Sequence, residues 1–197
     1  MKRVVITALL VGCSGEVTST SDVDSGTGSG SMAKIDASIP GGVGEPANLT
    51  GITLYHNQVR AAVQTTTPLP PMQWDPNLAA YAAQWAAMCK DGGDSVNGLI
   101  DHDPNRTNVA GYDVIGENIF GAGGTATAKG AVDSWASEAV NFTYPNTCNG
   151  ICGHYTQIVW RTSVHLGCAL QVCPGLQYGN TIVCDYGPAG NSGGAPY

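Results

Sequence analysis

The sequence predicts an α+β domain in which the helices and the strands are segregated along the chain. Three segments with the 3.6-residue apolar period of an amphipathic helix come first, and two short apolar segments joined by a Pro-Gly turn follow them. Segregated helices and strands are typical of the α+β class. Six of the seven cysteines fall in the same part of the chain, so we expect disulfides to reinforce this fold.

The first predicted helix covers residues 50–64. Ile52, Tyr55, Val59 and Val63 recur at the spacing of one helical face, and the prolines that begin at residue 68 end the segment. These four apolar side chains are therefore expected to form the buried face of the helix.

The second helix begins at Asp75, an N-cap residue followed by Pro76 at the first helical position. Its apolar face includes Trp85 and continues to Cys89. The third helix is predicted over residues 127–139, with Trp135 on its inner face. Both tryptophans are expected in the core.

The two strands are predicted over residues 167–172 and 181–186. Pro174 and Gly175 lie between them and favour a turn, so the two segments are expected to pair as a hairpin.

The chain is predicted to have three parts: a leader at residues 1–12, a flexible tether at 13–47 and a folded domain at 48–197. The tether is rich in Ser, Thr, Gly and Asp, a composition typical of flexible segments. A domain of about 150 residues buries roughly two-thirds of the surface of its unfolded chain, so disulfides would reinforce a core that is already sufficient.

The leader has a basic start, Lys2 and Arg3, followed by an apolar run at residues 4–12. That run is too short to cross a bilayer and is typical of a signal peptide. Residues 10–13 (LVGC) resemble the bacterial lipobox, in which a lipid is attached to the cysteine that becomes the new N-terminus, here Cys13. The alternative is an ordinary leader that is removed together with Cys13. We therefore expect an exported protein, lipid-anchored at the cell envelope or secreted.

Setting Cys13 aside leaves an even number of cysteines behind an export signal, which predicts three disulfides and an extracytoplasmic compartment. Six cysteines allow fifteen pairings, among which the sequence alone does not choose. A four-thiolate metal site is disfavoured, because no second closely spaced pair accompanies the one at positions 148 and 152. The six are Cys89, Cys148, Cys152, Cys168, Cys173 and Cys184.

The charge argues against nucleic acid as a partner. Eight basic residues oppose fifteen acidic ones, and the basic residues are scattered, so no basic stripe exists. The negative charge also disfavours an anionic membrane surface. We therefore expect a monomer that contacts a membrane only through a lipid anchor.

Several motifs in the second half of the chain resemble those of one known family. They are GHYTQIVW at 153–160 followed by GCA at 167–169, CDYGPAGN at 184–191, GENI at 116–119, and Trp135 three residues before Glu138. The chain resembles the CAP superfamily of cysteine-rich secretory, antigen 5 and pathogenesis-related proteins, in particular the plant pathogenesis-related group one proteins. The resemblance covers residues 49–197 and implies a three-layer α-β-α sandwich around a central antiparallel sheet.

The resemblance also implies the disulfide pairing and a polar cleft. The pairs it implies are Cys89 with Cys173, Cys148 with Cys152, and Cys168 with Cys184. The cleft residues it implies are His102, Glu117, Glu138 and His154, which together suit a weak Zn²⁺ site in which two imidazoles bind the metal and carboxylates complete or orient the shell. His102 departs from the family pattern, because it does not directly follow the cysteine. The alternative is a purely structural hydrogen-bonded network of the same four groups.

The sequence leaves two functions open. The preferred one is a non-enzymatic binding protein that carries a small apolar ligand, such as a lipid or a sterol-like molecule, or engages a surface protein. The second is a metal-dependent hydrolase or protease with Glu117 or Glu138 as the general base. Signals for an enzyme are poor, since the sequence has no His-Glu-x-x-His motif and the six cysteines are assigned to disulfides.

Lipid attachment at Cys13 can be tested directly. A Cys13→Ala protein should lose the anchor and leave the membrane fraction, which fractionation and intact-mass measurement of the mature N-terminus would detect. A wild-type protein that is wholly soluble, with an unmodified N-terminus downstream of Cys13, would contradict the prediction.

Overall fold

The computed structural model describes residues 42–92 and 98–197. The leader, Cys13 and the tether up to residue 41 lie outside the described residues. Glu45, which the sequence places near the end of the tether, is bonded to the first helix. The Glu45 carboxylate accepts hydrogen bonds from the backbone N–H groups of Gly51 (2.7 Å) and Thr53 (2.9 Å), so it satisfies two free donors at the start of the first helix.

The described residues form four α-helices and eight strands, together with 3₁₀ turns at Ala47–Leu49 and Glu138–Asn141. In chain order they are α1 (Ile52–Ala62), β1 (Gln73–Trp74), α2 (Pro76–Ala86), β2 (Thr107–Val109), β3 (Tyr112–Val114), β4 (Gly116–Ala122), α3 (Ala128–Ser137), β5 (Phe142–Thr143), β6 (Thr147–Cys148), α4 (Gly153–Ile158), β7 (His165–Val172) and β8 (Asn180–Gly187).

The main sheet has the strand order β1-β7-β8-β4. The pairs β7–β8 and β8–β4 are antiparallel, whereas the two-residue edge strand β1 pairs parallel to β7. Two small hairpins, β2–β3 and β5–β6, lie outside this sheet. The predicted hairpin is confirmed as β7–β8, and each of its strands extends one or two residues beyond the predicted ends.

Helices cover both faces of the sheet. On one face, Leu166, Ile182 and Tyr186 share a buried cluster with residues of α1, α3 and α4. On the other face, Ala169 and Val183 cluster with Ala82, Trp85 and Ala86 of α2. The three-layer α-β-α arrangement and the α+β class are therefore confirmed.

Helix α2 lies very close to the sheet. A side chain at Gly167 of β7 would place its Cβ 2.1 Å from the backbone nitrogen of Ala79, so only glycine fits there. Asp75 caps α2 by accepting from the N–H of Asn77 at 2.8 Å, as predicted. The helix ends at Ala86, three residues before the predicted end, and Cys89 has a positive φ of 48°.

Helix α1 buries polar side chains as well as apolar ones. Thr53, His56, Asn57 and Arg60 are all buried, a stripe that the apolar pattern did not predict. The Arg60 guanidinium donates to the carbonyls of Pro70 (2.8 Å), Ile158 (2.7 Å) and Trp160 (2.8 Å). Burial lowers the pKa of Arg60 to about 10, so the group stays charged at neutral pH. It joins α1 to two other segments of the chain, one at Pro70 and one at residues 158–160.

A chain of hydrogen bonds connects α1 to the sheet and to α4. His56 Nδ1 lies 2.8 Å from the Ile52 carbonyl and His56 Nε2 lies 2.8 Å from the Tyr186 hydroxyl. Asn118 Nδ2 donates to the same hydroxyl at 3.0 Å and to the His154 carbonyl at 3.1 Å. This pattern requires a neutral imidazole with its proton on Nδ1, which donates to the carbonyl while Nε2 accepts from the tyrosine.

The described residues contain three disulfides, and these join the pairs that the resemblance implies. Cys89 pairs with Cys173, Cys148 with Cys152, and Cys168 with Cys184. The first ties the end of α2 to the end of β7, and the third crosses between β7 and β8 at directly opposed positions. Within residues 42–92 and 98–197, no helix is long and apolar enough to cross a membrane.

The burial of His56 predicts a loss of stability in acid. Burial lowers the pKa of His56 from 6.5 to about 4, so between these values the unfolded chain binds a proton that the folded protein does not. Stability should therefore fall as the pH drops through this window, by about 3 kcal/mol from this group. Chemical denaturation of the wild type and of His56→Gln at pH 7 and pH 4 would isolate the contribution, because other titrating groups are common to both proteins. Equal pH dependence of the two would contradict it.

Candidate functional site

The four candidate cleft residues form two histidine–carboxylate pairs. His102 Nδ1 lies 2.5 Å from Glu117 Oε1, and His154 Nδ1 lies 2.5 Å from Glu138 Oε1. In each pair the Nδ1–H donates to the carboxylate, which sets the orientation of the ring. With the proton on Nδ1, the lone pair of a neutral imidazole lies on Nε2.

The first pair combines a buried carboxylate with an accessible imidazole. Glu117 is the second residue of β4, and its side chain is 1% exposed, against 44% for His102. Glu117 Oε1 also accepts from the backbone N–H of Asp103 at 3.1 Å, and Arg106 Nη1 lies 3.9 Å from the same oxygen. The carboxylate is therefore fixed from several sides, and the imidazole reaches solvent.

The second pair is built at the junction of α3 and α4. Glu138 directly follows α3, and its Oε2 accepts from the backbone N–H groups of His154 (2.9 Å) and Tyr155 (3.2 Å). Burial acts to raise the pKa of Glu138, but the hydrogen bond and charge of His154 and these two N–H groups outweigh it, so the pKa is lowered. The His154 ring stacks on Trp135 with centroids 6.2 Å apart.

Strand β4 separates the two pairs. Successive side chains of a strand point to opposite faces. Glu117 is in register with Asp185 on the α2 side, whereas Asn118 is in register with Cys184 and donates to the His154 carbonyl on the other side. Because β4 is an edge strand, the pairs flank the same edge of the sheet from its two faces.

The four residues are bonded as two separate pairs. In the part of the chain that the structure describes, no group of three or more His, Cys, Asp or Glu side chains is arranged to hold a metal ion. Each carboxylate is bonded to an Nδ1, so the two Nε2 atoms are the groups of these pairs that could bind a metal. The carboxylates thus orient the imidazoles, one of the two roles expected for them from the sequence.

Sequence reasoning missed a buried acid beside the first pair. Asp185 is 1% exposed, and neither of its oxygens has a hydrogen-bond partner among the described residues. Burial, with the charges of Glu117 and Asp103 nearby, raises its pKa well above the ordinary value. The alternation of β8 is the signal that places Asp185 opposite Glu117, but it becomes visible only once the register of β4 and β8 is known.

Two exposed aliphatic side chains, which we call the apolar rim, lie close in sequence to the second pair. Val140 is 88% exposed and lies two residues after Glu138, and Ile151 is 70% exposed and lies three residues before His154. Asn141 Nδ2 donates to the Ile151 carbonyl at 2.7 Å, which holds the two segments together. The segments that carry the His154–Glu138 pair thus also carry two exposed apolar side chains.

Comparison with known proteins is consistent with this geometry. Residues 54–186 match the model of the cysteine-rich secretory protein family, CAP. The chain is similar to pathogenesis-related protein 1 of Arabidopsis thaliana, with 43% identity over 138 residues that cover 69% of this chain and 73% of the relative.

Two solved structures share the fold. Venom allergen-like protein 4 of Schistosoma mansoni superposes with a TM-score of 0.60 at 30% identity, over 75% of this chain and 91% of that one. The structure of NaASP2 with Zn²⁺ superposes with a TM-score of 0.54 at 25% identity, over 74% and 82% of the two chains. Both the sequence match and the superposition agree with the motifs at His154 and Cys184, so the chain belongs to the CAP family of cysteine-rich secretory proteins.

Proposed function

We propose that this protein is an extracytoplasmic binding module that engages a partner at the His154–Glu138 pair and its apolar rim. Three disulfides are typical of a domain that works in an oxidising compartment. Attachment through Cys13 would hold the domain at the cell envelope as a monomer. The partner is expected to present an apolar group, either a lipid or sterol-like molecule or an apolar patch on a surface protein.

The apolar rim is the observation that carries this proposal. Val140 and Ile151 expose most of their surface, and burying them against a partner contributes about 25 cal/mol for each Å² removed from water. The imidazole of His154, which is 29% exposed, adds a directional polar contact. Exposed apolar groups combined with a polar one are typical of a recognition surface.

The two imidazoles also support weak binding of Zn²⁺. A histidine that binds a metal through Nε2 commonly donates its Nδ1–H to a carboxylate, and both pairs have this arrangement. One structural relative was solved with Zn²⁺. His102 and His154 would each supply one nitrogen and water the remaining positions, so the affinity should be well below that of a four-ligand structural site.

The carboxylates favour binding over hydrolysis. A general base needs access to the substrate and a pKa near the working pH. Glu138 accepts from three N–H groups and has a lowered pKa, and the Glu117 side chain is 1% exposed. Both act on their histidines, so a metal-dependent hydrolase or protease is the less supported function.

The binding function can be tested by native mass spectrometry of the full-length protein purified from its host. A bound lipid or protein should be retained by the wild type and lost from a Val140→Asp/Ile151→Asp double variant, because the charges oppose apolar burial. Val172→Asp is the matched control, since Val172 is an exposed valine elsewhere (54%) and its variant should keep the partner. Equal retention by both variants would contradict the proposal.

The zinc site is tested by calorimetric titration with Zn²⁺. We expect weak binding that His154→Ala reduces by about tenfold or more and that Glu138→Gln reduces less, because its carboxylate orients the ligand without touching the metal. Binding should weaken in acid, since protons compete for Nε2. His165→Ala, which removes a half-buried imidazole outside the two pairs, should bind like the wild type. Unchanged zinc affinity in His154→Ala would remove the assignment.

A further inference from the structure

A second concave site lies at the C-terminal end of α1. A cleft of about 790 Å³ is lined by Tyr144 and Tyr197, by residues 64–67 (QTTT) and by Arg161. This volume falls within the range of small-molecule sites. The lining includes neither histidine pair nor the apolar rim, so the cleft is separate from the site proposed above.

One wall of the cleft is a stacked pair of tyrosines. The rings of Tyr144 and Tyr197 are 5.5 Å apart and nearly parallel, at 22°, and Tyr144 still exposes 59% of its surface. Phe142 meets the ring of Tyr197 edge-on at 6.0 Å and contacts the buried Tyr155 at 5.8 Å. The pair is therefore anchored to the core, and a flat ring is presented to solvent at little cost in side-chain entropy.

The chain that follows α4 fixes the position of Tyr197. The backbone N–H of Arg161 donates to the carbonyl of Pro196 at 2.7 Å, and Pro196 is itself buried. The Arg161 guanidinium donates to the carbonyls of Pro68 (3.2 Å) and Thr67 (3.0 Å). Those contacts orient the guanidinium and use two of its five N–H donors.

Residues 64–67 form a polar, uncharged part of the lining. Gln64 contributes an amide, and residues 65–67 contribute three threonine hydroxyls. Amides and hydroxyls both donate and accept hydrogen bonds. A wholly apolar ligand would strip water from these groups without replacing it, which is unfavourable.

The charge of the cleft argues against a phosphorylated ligand. Among the described residues that line it, Arg161 is the one charged side chain, and the whole chain carries a net charge of −7, which opposes the approach of an anion. The lining of the cleft therefore suits a neutral ligand that has a flat apolar face and many hydroxyl groups. A pyranose ring has both features, since its C–H groups pack on an aromatic ring and its hydroxyls donate and accept.

We propose that the cleft between Tyr144 and residues 64–67 binds a neutral oligosaccharide. Tyr144 packs against the C–H face of one sugar ring, and Gln64, the threonines and Arg161 bind its hydroxyls. The site adds a second binding surface to the domain, and it does not depend on the function proposed for the His154–Glu138 pair.

Calorimetric titration of the full-length protein with cellohexaose, chitohexaose and laminarihexaose tests this proposal. At least one hexasaccharide should bind saturably, and Tyr144→Ala should weaken that binding about tenfold or more, the loss expected when an aromatic anchor is truncated. Tyr178→Ala is the matched control, because Tyr178 is an exposed tyrosine (39%) outside the cleft lining, and it should bind like the wild type. Thr66→Val, which keeps the shape and removes one exposed hydroxyl, should weaken binding severalfold.

Three outcomes would overturn the proposal: no binding of any of the three hexasaccharides at millimolar concentration, equal binding by the two tyrosine variants, or binding of AMP in place of the sugars. Circular dichroism of each variant confirms that its fold is intact. Zinc titration of Tyr144→Ala should match the wild type, so failure here is distinguishable from failure at the histidine pairs.

Discussion

The positions of the site residues depend on buried polar side chains that satisfy one another. In the low-dielectric interior an unpaired donor or acceptor is costly, so His56, Tyr186 and Asn118 restrict one another's positions. Their hydrogen bonds run from the backbone of α1 across β8 and β4 to the carbonyl of His154. The buried core and the exposed imidazole are thus parts of one network. Displacing any member would leave a buried group unpaired and shift the start of α4.

Strand β4 gives the site its two-part character. Its alternation places Glu117 with the acids on the α2 side, where burial and the neighbouring charges of Glu117 and Asp103 raise the pKa of Asp185, and leaves the other face to the Glu138–His154 pair. Glu117 is enclosed, whereas the second pair borders solvent and the apolar rim. The two imidazoles therefore have similar partners but different surroundings, and only the second lies on a surface suited to apolar contact.

Apolar periodicity predicted α1, α2, α3 and the β7–β8 hairpin, because each is long enough for a repeat to show. It did not predict β4, whose first four residues are all buried despite two polar side chains, or α4, which has six residues. The four cleft residues came from the family resemblance, but their pairing did not. The relative position of the Glu117 and Glu138 carboxylates depends on the strand register and on the hydrogen bonds of each carboxylate. The register and these hydrogen bonds are set by residues distant in sequence. The apolar period also did not show that Arg60 and His56 are buried, since their hydrogen-bond partners lie in other elements.

The order of strands in the main sheet has a consequence for biogenesis. The two central strands, β7 and β8, are the last elements in the sequence, and β1 and β4, which precede them, lie at the edges. The chain is synthesised from its N-terminus. Helices α1 and α2 and strand β4 are therefore made before the central strands, and they have no complete sheet to pack on until residues 165–187 have been added. Such a chain cannot complete its sheet while synthesis is still in progress. Its core, and the disulfide between Cys168 and Cys184 on the two central strands, therefore form together once β7 and β8 are complete.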